Sequence, residues 1–310
     1  MKKFKKCLVV GHTDAHGVAA SAISVKNLER ECESVDYMVR FPDTGVIPKF
    51  WKETIDKVIE KADEYDKVVL VDIPIDRTNP DLSFAKLEEL CSKTETWYID
   101  HHPVKPEERD RFLKTPCNVK IVDSAYECVY GKPDDKWMLV GAISDRDRAV
   151  KDKATKELME LADGLDVLVR RDITKAIDDI LTDNQKDVLE YSKQVPDPKD
   201  IELIDNVALV KDIVPDTWVF KVLDKACRKT GADYAVYVAE NRADRVTGEP
   251  RDFVTVIKYW KSEKPSVMSK IPEEFRKNCW GHPDAITCSV EVGRGKELAE
   301  KIVKWLKKDG

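Results

Sequence analysis

Cys7-Leu8-Val9-Val10-Gly11-His12-Thr13-Asp14-Ala15-His16-Gly17 is an apolar run that breaks into a loop carrying two histidines and an aspartate, and a helical pattern begins near Gly17. Four consecutive apolar residues bounded by a glycine-containing loop read as a buried strand, and a strand that feeds a helix is half of a βαβ unit. The pattern recurs. Val35 to Val39 precedes a helix over Ile47 to Lys61, Val68 to Ile73 precedes a helix over Ser83 to Cys91, and strands over Thr96 to Ile99 and Val119 to Val122 follow. A mostly parallel sheet is implied, and ligands of such sheets collect beyond the carboxyl ends of the strands.

From Lys136 to about Ser192 the apolar residues Leu158, Leu161, Leu165 and Leu168 recur at helical spacing. Pro196 and Pro198 then break the helix and predict a linker over Gln194 to Lys199. A second alternation follows, with strands at Val207 to Val210, Tyr234 to Val238, Phe253 to Trp260 and Ile286 to Val292, and helices at Thr217 to Lys229 and Lys296 to Lys307. The expected fold class is α/β. A parallel-sheet domain with helices on both faces spans 1–150, a helical connector and linker 151–195, and a smaller α/β domain 200–310.

The 310 residues suit two cores, and 42% hydrophobic with 36% charged residues is ordinary for a soluble protein. No apolar run approaches the roughly 20 residues that span a bilayer. Behind the lysine-rich start, Met1 to Lys6, the apolar stretch is too short for a signal peptide, so the expected compartment is the cytoplasm. Eight cysteines form no CxxC pair and sit mostly among apolar neighbours, which predicts reduced core thiols and no structural zinc. The abundance of Lys and Glu is a compositional hint of a thermophile. A net charge of −6 argues against a protein that coats long nucleic acid, which needs a broad basic surface. A small or terminal phosphate can still be held by metal ions and a few cationic side chains.

The five histidines, His12, His16, His101, His102 and His282, all lie near strand ends or in glycine-containing loops. In an extended segment His12, Asp14 and His16, spaced i, i+2, i+4, would point to one side and make a metal half-site; an Asx turn capping the following helix is an equally good reading. Asp72 ends the run Val68 to Val71, where a carboxylate must be paired, capped or metal-bound to offset its desolvation. Asp100, His101 and His102 end a strand ahead of Pro103. Asp145 follows the apolar run Trp137 to Ile143 within Ser144-Asp145-Arg146-Asp147-Arg148, and lies nearer that run than Asp147; a charged helix terminus is its plainer reading.

Taken in order, these segments resemble the DHH phosphoesterase superfamily, whose first motif reads His-x-Asp-x-Asp-Gly and whose third names it. Here the first is His12-Thr13-Asp14-Ala15-His16-Gly17, the second Asp72, the third Asp100-His101-His102 and the fourth Asp145. In the second half Trp280-Gly281-His282-Pro283-Asp284-Ala285 looks like the glycine-rich substrate-binding segment of the DHHA1 domain. The resemblance implies a phosphoesterase acting on phosphodiester or phosphomonoester bonds of nucleotides or short single-stranded oligonucleotides. It implies two manganese ions, with magnesium, zinc or iron as alternatives, one held by His12, Asp14 and Asp72 and the other by His16, Asp72, His101 and Asp145. His102 would contact the scissile phosphate or protonate the leaving oxygen, and Asp100 would orient an imidazole. Gly281, His282 and Lys258 would hold the substrate's far end, Arg294 at the start of the last helix is a further anion candidate, and a homodimer is compatible with the family.

Two departures bear on this. His16 stands where the family has Asp, which replaces an anion by a neutral ligand, and Asn278, Cys279 and Trp280 stand where glycines are usual. Two other functions stay open: a catalytically impaired nucleotide-binding protein, for which His16 speaks, and a pyrophosphate or polyphosphate hydrolase.

Overall fold

The structure is a computed structural model that describes residues 3–39, 47–134, 136–244 and 248–307, with the side chains of Val39 and His282 outside that description. Two compact units, Met1–Gln194 and Val195–Gly310, make up the chain.

The first unit is built on five parallel strands, β1 (Phe4–Gly11), β2 (Cys32–Val39), β3 (Lys67–Val71), β4 (Glu95–Asp100) and β5 (Asn118–Ile121), in the order β2-β1-β3-β4-β5. Leu8, Val10, Val68 and Leu70 turn one way and pack with Phe50, Trp51, Phe84 and Leu87 from the helical segments that follow β2 and β3. Val9 and Val69 turn the other way and are equally buried, with α1 (Ala15–Leu28) packed against β1 and β2. A sheet covered on both faces needs apolar residues at every position of its central strands, which is why β1 and β3 read as continuous runs instead of alternating ones. Each such Val or Leu contributes roughly 1.5–3 kcal/mol when fully buried.

The expected helix over Ile47 to Lys61 is helical from Ile47 to Glu60, with a π-helical turn over Phe50–Thr54. Helices Lys156–Arg171, Ile173–Leu181 and Gln185–Ser192 pack on one another, the first two also meet α1, and all three belong to the first unit.

The second unit has six strands, β6 (Ile201–Ile204), β7 (Val207–Val210), β8 (Tyr234–Ala243), β9 (Pro250–Lys258), β10 (Cys279–His282) and β11 (Ala285–Val290), in the order β10-β11-β9-β8-β7-β6. Only β7 and β8 run parallel, joined by the helix Val219–Thr230, and the helix Gly295–Lys307 packs on β8 and β9. Strands β6 and β10 have no counterpart in the sequence pattern. They are four-residue edge strands, too short to show a period and not apolar on both faces. Among the described residues no helix is long and apolar enough to cross a membrane.

The cysteine expectation is overturned. Disulfides join Cys7 to Cys32, Cys91 to Cys117 and Cys279 to Cys288, while Cys128 and Cys227 are buried thiols outside any disulfide. The pairing follows sheet neighbourhood that spacing cannot reveal: Cys279 faces Cys288 directly across β10 and β11, and Cys7 and Cys32 lie on adjoining strands. Alkylation in denaturant without reductant is expected to label two thiols, rising to all eight after reduction; labelling of all eight before reduction would rule the disulfides out.

Candidate metal centre

The strand order reverses direction between β1 and β3, since the chain leaves β1 for β2 on one side and returns to β3 on the other. A crevice opens at such a switch point beyond the carboxyl ends of the two strands. In register, Gly11 pairs with Val71 and Val71 with Ile99, so the residues that follow, His12, Asp72 and Asp100, emerge side by side. Topology alone therefore brings three of the motif residues to one place.

Asp72 is the pivot. It adopts a left-handed conformation with φ of 60°, and its N–H donates to the Ile99 carbonyl at 2.9 Å, so the chain turns sharply as β3 ends. Aspartate accepts this region better than most residues, at some cost in strain, and such strain clusters at functional sites. The carboxylate is 1% exposed. Its Oδ2 lies 3.0 Å from His16 Nδ1 and 3.9 Å from His12 Nδ1, and its Oδ1 lies 3.1 Å from His101 Nε2. Yet both Asp72 oxygens, His16 Nδ1 and His101 Nε2 are buried without a well-formed hydrogen bond. Buried polar atoms left without a partner need an explanation, and a bound ion is one.

His16 shows how the aim is fixed. The extended reading of His12, Asp14 and His16 is corrected: Asp14 caps α1, its Oδ1 accepting from Gly17 N–H at 2.8 Å, and His16 is the second residue of the helix. The capping reading holds, and the other oxygen of Asp14, Oδ2, lies 2.6 Å from His12 Nδ1. Gly17 is required here, because a Cβ would come within 2.5 Å of the His12 Cβ. His16 Nε2 donates to the Ala125 carbonyl at 2.9 Å, which leaves Nδ1 as the atom presented to Asp72.

Donor atoms of His16, Asp72 and His101 all lie within 4.8 Å of one another, and so do those of His12, Asp14 and Asp72. Asp72 is common to both sets. Imidazole nitrogens and carboxylate oxygens in this number suit manganese, zinc or iron, so the residues fit two divalent cations sharing one carboxylate. Asp145 follows the helix Trp137–Ser144, and its Oδ2 is 3.5 Å from His101 Nε2. Burial, reinforced by Asp72 and opposed by His16 and His101, raises its carboxyl to about 6.

Burial works against a charged His16, but Asp72 overrides it and raises the imidazole to about 10. Asp72 is likewise held well below the usual carboxylate range: burial opposes this, and His16 and His101 outweigh it. His102 stands at the rim, its Nδ1 2.8 Å from Asp100 Oδ1 and 3.9 Å from Asp72 Oδ1. Burial lowers it and Asp100 raises it, for a net value of about 9. The buried Asp100 is in turn 3.4 Å from the Tyr98 hydroxyl, which donates to the Ile73 carbonyl at 2.7 Å.

Sequence reasoning missed Tyr98, the Ala125 carbonyl and Cys128. A backbone carbonyl carries no sequence signal, and Tyr98 reads as an apolar strand residue. Asp72, Asp100 and Cys128 form a third close group, but the thiol donates to the Ile99 carbonyl at 3.6 Å and burial pushes it well above its usual range, so Cys128 backs the cluster as a neutral group.

In the second unit Gly281, Lys258 and Arg294 lie on different features. Gly281, with φ of 124° and no room for a Cβ beside the Ala285 carbonyl, lines a cavity of about 840 Å³. Lys258 is not on that cavity: it is 4% exposed, 3.3 Å from Asp284 Oδ2, and donates to the Lys264 carbonyl. Arg294 lines a separate depression and pairs with Glu297 at 2.8 Å. The side chain of His282 lies outside the described residues. Arg242, which the sequence reading passed over because its strand was expected to stop at Val238, lines the Gly281 cavity.

No protein-family model matches the chain, and no curated protein does. Solved structures match over nearly its whole length. The pGpG-specific phosphodiesterase PggH from Vibrio cholerae aligns over 99% of this chain and 100% of its own at 13% identity, with a TM-score of 0.55. A DHH domain from a member of the s1p family of ribosomal proteins aligns over 98% of this chain and 87% of its own at 14% identity, with a TM-score of 0.50. Exonuclease RecJ bound to manganese aligns over 99% and 91% at 16% identity, with a TM-score of 0.44.

Proposed function

We propose that this chain, whose fold is that of the DHH phosphoesterase superfamily, is a metal-dependent hydrolase of phosphoester bonds in nucleotides or short single-stranded oligonucleotides. The observation that carries the reading is the buried Asp72 carboxylate common to two sets of candidate ligand atoms at the switch point of the sheet.

His12, Asp14 and Asp72 would hold one cation, and His16, Asp72, His101 and Asp145 the other. Manganese is the first expectation for both. Divalent cations held there would lower the pKa of a water and offset charge on the phosphoryl oxygens. The chain's own part is positional. His16 is fixed in orientation before any ligand arrives, and Asp100 holds His102 in its protonated form at neutral pH. His102 is 35% exposed, so its remaining N–H can donate to a phosphoryl oxygen or pass a proton to the leaving oxygen. No side-chain nucleophile is needed.

Cytoplasm is the compartment we propose, as the place where nucleotide fragments arise. Three disulfides fit that compartment in a thermophile, whose intracellular proteins carry such bonds, in keeping with the Lys- and Glu-rich composition.

The test is metal-stripped protein given manganese and a panel of 3′-phosphoadenosine 5′-phosphate, linear and cyclic dinucleotides, short RNA and short DNA. Manganese-stimulated turnover of at least one member, lost in His101→Ala, is expected. Stoichiometric manganese binding with no turnover on any member would instead favour a binding protein in which the His16 substitution disables the chemistry.

A further inference from the structure

The helix Trp137–Ser144 ends in a turn that its own sequence disfavours. Arg146 N–H donates to the Ile143 carbonyl at 3.0 Å and Asp147 N–H to the Ala142 carbonyl at 2.9 Å, with Arg146 left-handed at a φ of 58°. This is the Schellman pattern, whose left-handed position usually belongs to glycine. An arginine held there persists only where the surroundings enforce the conformation, so the turn that sets Asp145 calls for support from outside the helix. Asp147, the carboxylate of this segment that is not among the expected ligands, supplies it. Its Oδ1 accepts from Ala149 N–H at 2.9 Å and caps the 3₁₀ turn Arg148–Val150, and its Oδ2 accepts from the Ser124 hydroxyl at 2.5 Å.

Ser124 holds the matching place on another loop. It follows β5, caps the 3₁₀ turn Ala125–Glu127 and accepts from Tyr126 N–H at 3.2 Å. The first residue of that turn is Ala125, whose carbonyl receives His16 Nε2 at 2.9 Å. One hydroxyl–carboxylate bond, between residues 23 apart in sequence, therefore joins the turn that orients His16 to the turn that carries Asp145. Those two side chains are expected donors to the same cation. His12 and Asp14, which serve the other cation, are set by the end of β1 and the start of α1.

We propose that Ser124 and Asp147 form a clasp that keeps His16 and Asp145 at the separation one cation requires, so that this pair sets the affinity of that position and leaves the other alone. This rests on the proposed metal-dependent reading and adds two positioning residues to it, which act through His16 and Asp145 and not on the cation. Hydrogen-bonding partners behind metal ligands are typically worth about ten- to a hundredfold in metal affinity.

Manganese is titrated calorimetrically into metal-stripped, full-length protein, and His101→Ala marks which binding step belongs to the clasped position. Ser124→Ala keeps every charge and the Ala125 carbonyl. It is expected to weaken that step by about ten- to a hundredfold and to leave the other step unchanged. Ser124→Thr, which keeps the hydroxyl at a position suited to capping, is expected to restore the affinity. Asp147→Ala is expected to weaken the same step, and the double variant to lose less than the two single losses multiplied, because both substitutions remove one bond. Should Ser124→Ala fail to fold, as judged by circular dichroism, Asp147→Ala carries the test, with selective weakening again expected. Wild-type affinity at both steps, equal weakening of both, or single losses that multiply in the double variant would overturn the clasp. Any of these, beside wild-type protein that binds two manganese ions, rejects the clasp alone; wild-type protein that binds none rejects the metal centre and the clasp with it.

Discussion

Replacing Asp72 by Asn is expected to remove both cations together, and with them at least about a thousandfold of turnover. The magnitude follows from the several kcal/mol of charge stabilisation that cations supply to phosphoryl transfer, at about 1.4 kcal/mol per tenfold in rate. Asn is the informative substitution because, like Asp, it tolerates a left-handed backbone, so the φ of 60° at this position does not become a separate source of loss. An amide keeps one oxygen and the side chain's shape, but it cannot bridge two cations as an anion. The measurement is metal stoichiometry by plasma mass spectrometry beside steady-state rates on whichever substrate the panel identifies. Two equivalents retained would mean that Asp72 holds no metal. One equivalent retained would mean that the two ligand sets do not share it.

Why Asp72 was legible at all lies in desolvation. Val68 to Val71 could only be a central strand, and a carboxylate at its end has to be satisfied by something. The same logic located His12 and the Asp100-His101-His102 triplet, because strand ends are marked by where apolar runs stop. The local structure expected around His16 is corrected: the Asp14 cap draws it into α1, and a spacing of i, i+2, i+4 does not distinguish a strand from the start of a capped helix. What stayed hidden depends on contacts between residues distant in sequence. The Ala125 carbonyl that sets the His16 tautomer lies 109 residues away, and the disulfide partners are defined by sheet register. The cavity around Trp280 draws on β8, β9, β10, β11 and the helix Val219–Thr230, so no single stretch of sequence announces it.

Manganese binding is expected to release a proton from His16, and the apparent affinity of the cation position it serves to fall about tenfold for each pH unit below 10. In the metal-free protein Asp72, against the opposing effect of burial, raises this imidazole to about 10, so at neutral pH it is protonated and cannot ligate. The sign for stability is the same. A folded-state pKa above the ordinary 6.5 stabilises the metal-free protein fully below that value, and the contribution is lost as the pH rises through 10. Metal and proton therefore compete for one buried nitrogen, and raising the pH from 6 to 8 should tighten manganese about a hundredfold. Asp145, raised to about 6, steepens the dependence only at the acidic end. Calorimetric titration of manganese in two buffers of different ionisation enthalpy counts the protons released. His16→Gln removes the titrating group while keeping a neutral side chain of similar reach, so it should bind the cation more weakly and with a pH slope smaller by one proton. An Asp at this position, as the family pattern has, would add negative charge where His16 adds none, so the substitution makes this centre dependent on pH in return for a ligand that suits softer cations than magnesium. Wild-type binding that releases no proton between pH 6 and 8, or a His16→Gln slope equal to wild type, would show that His16 does not ligate the metal.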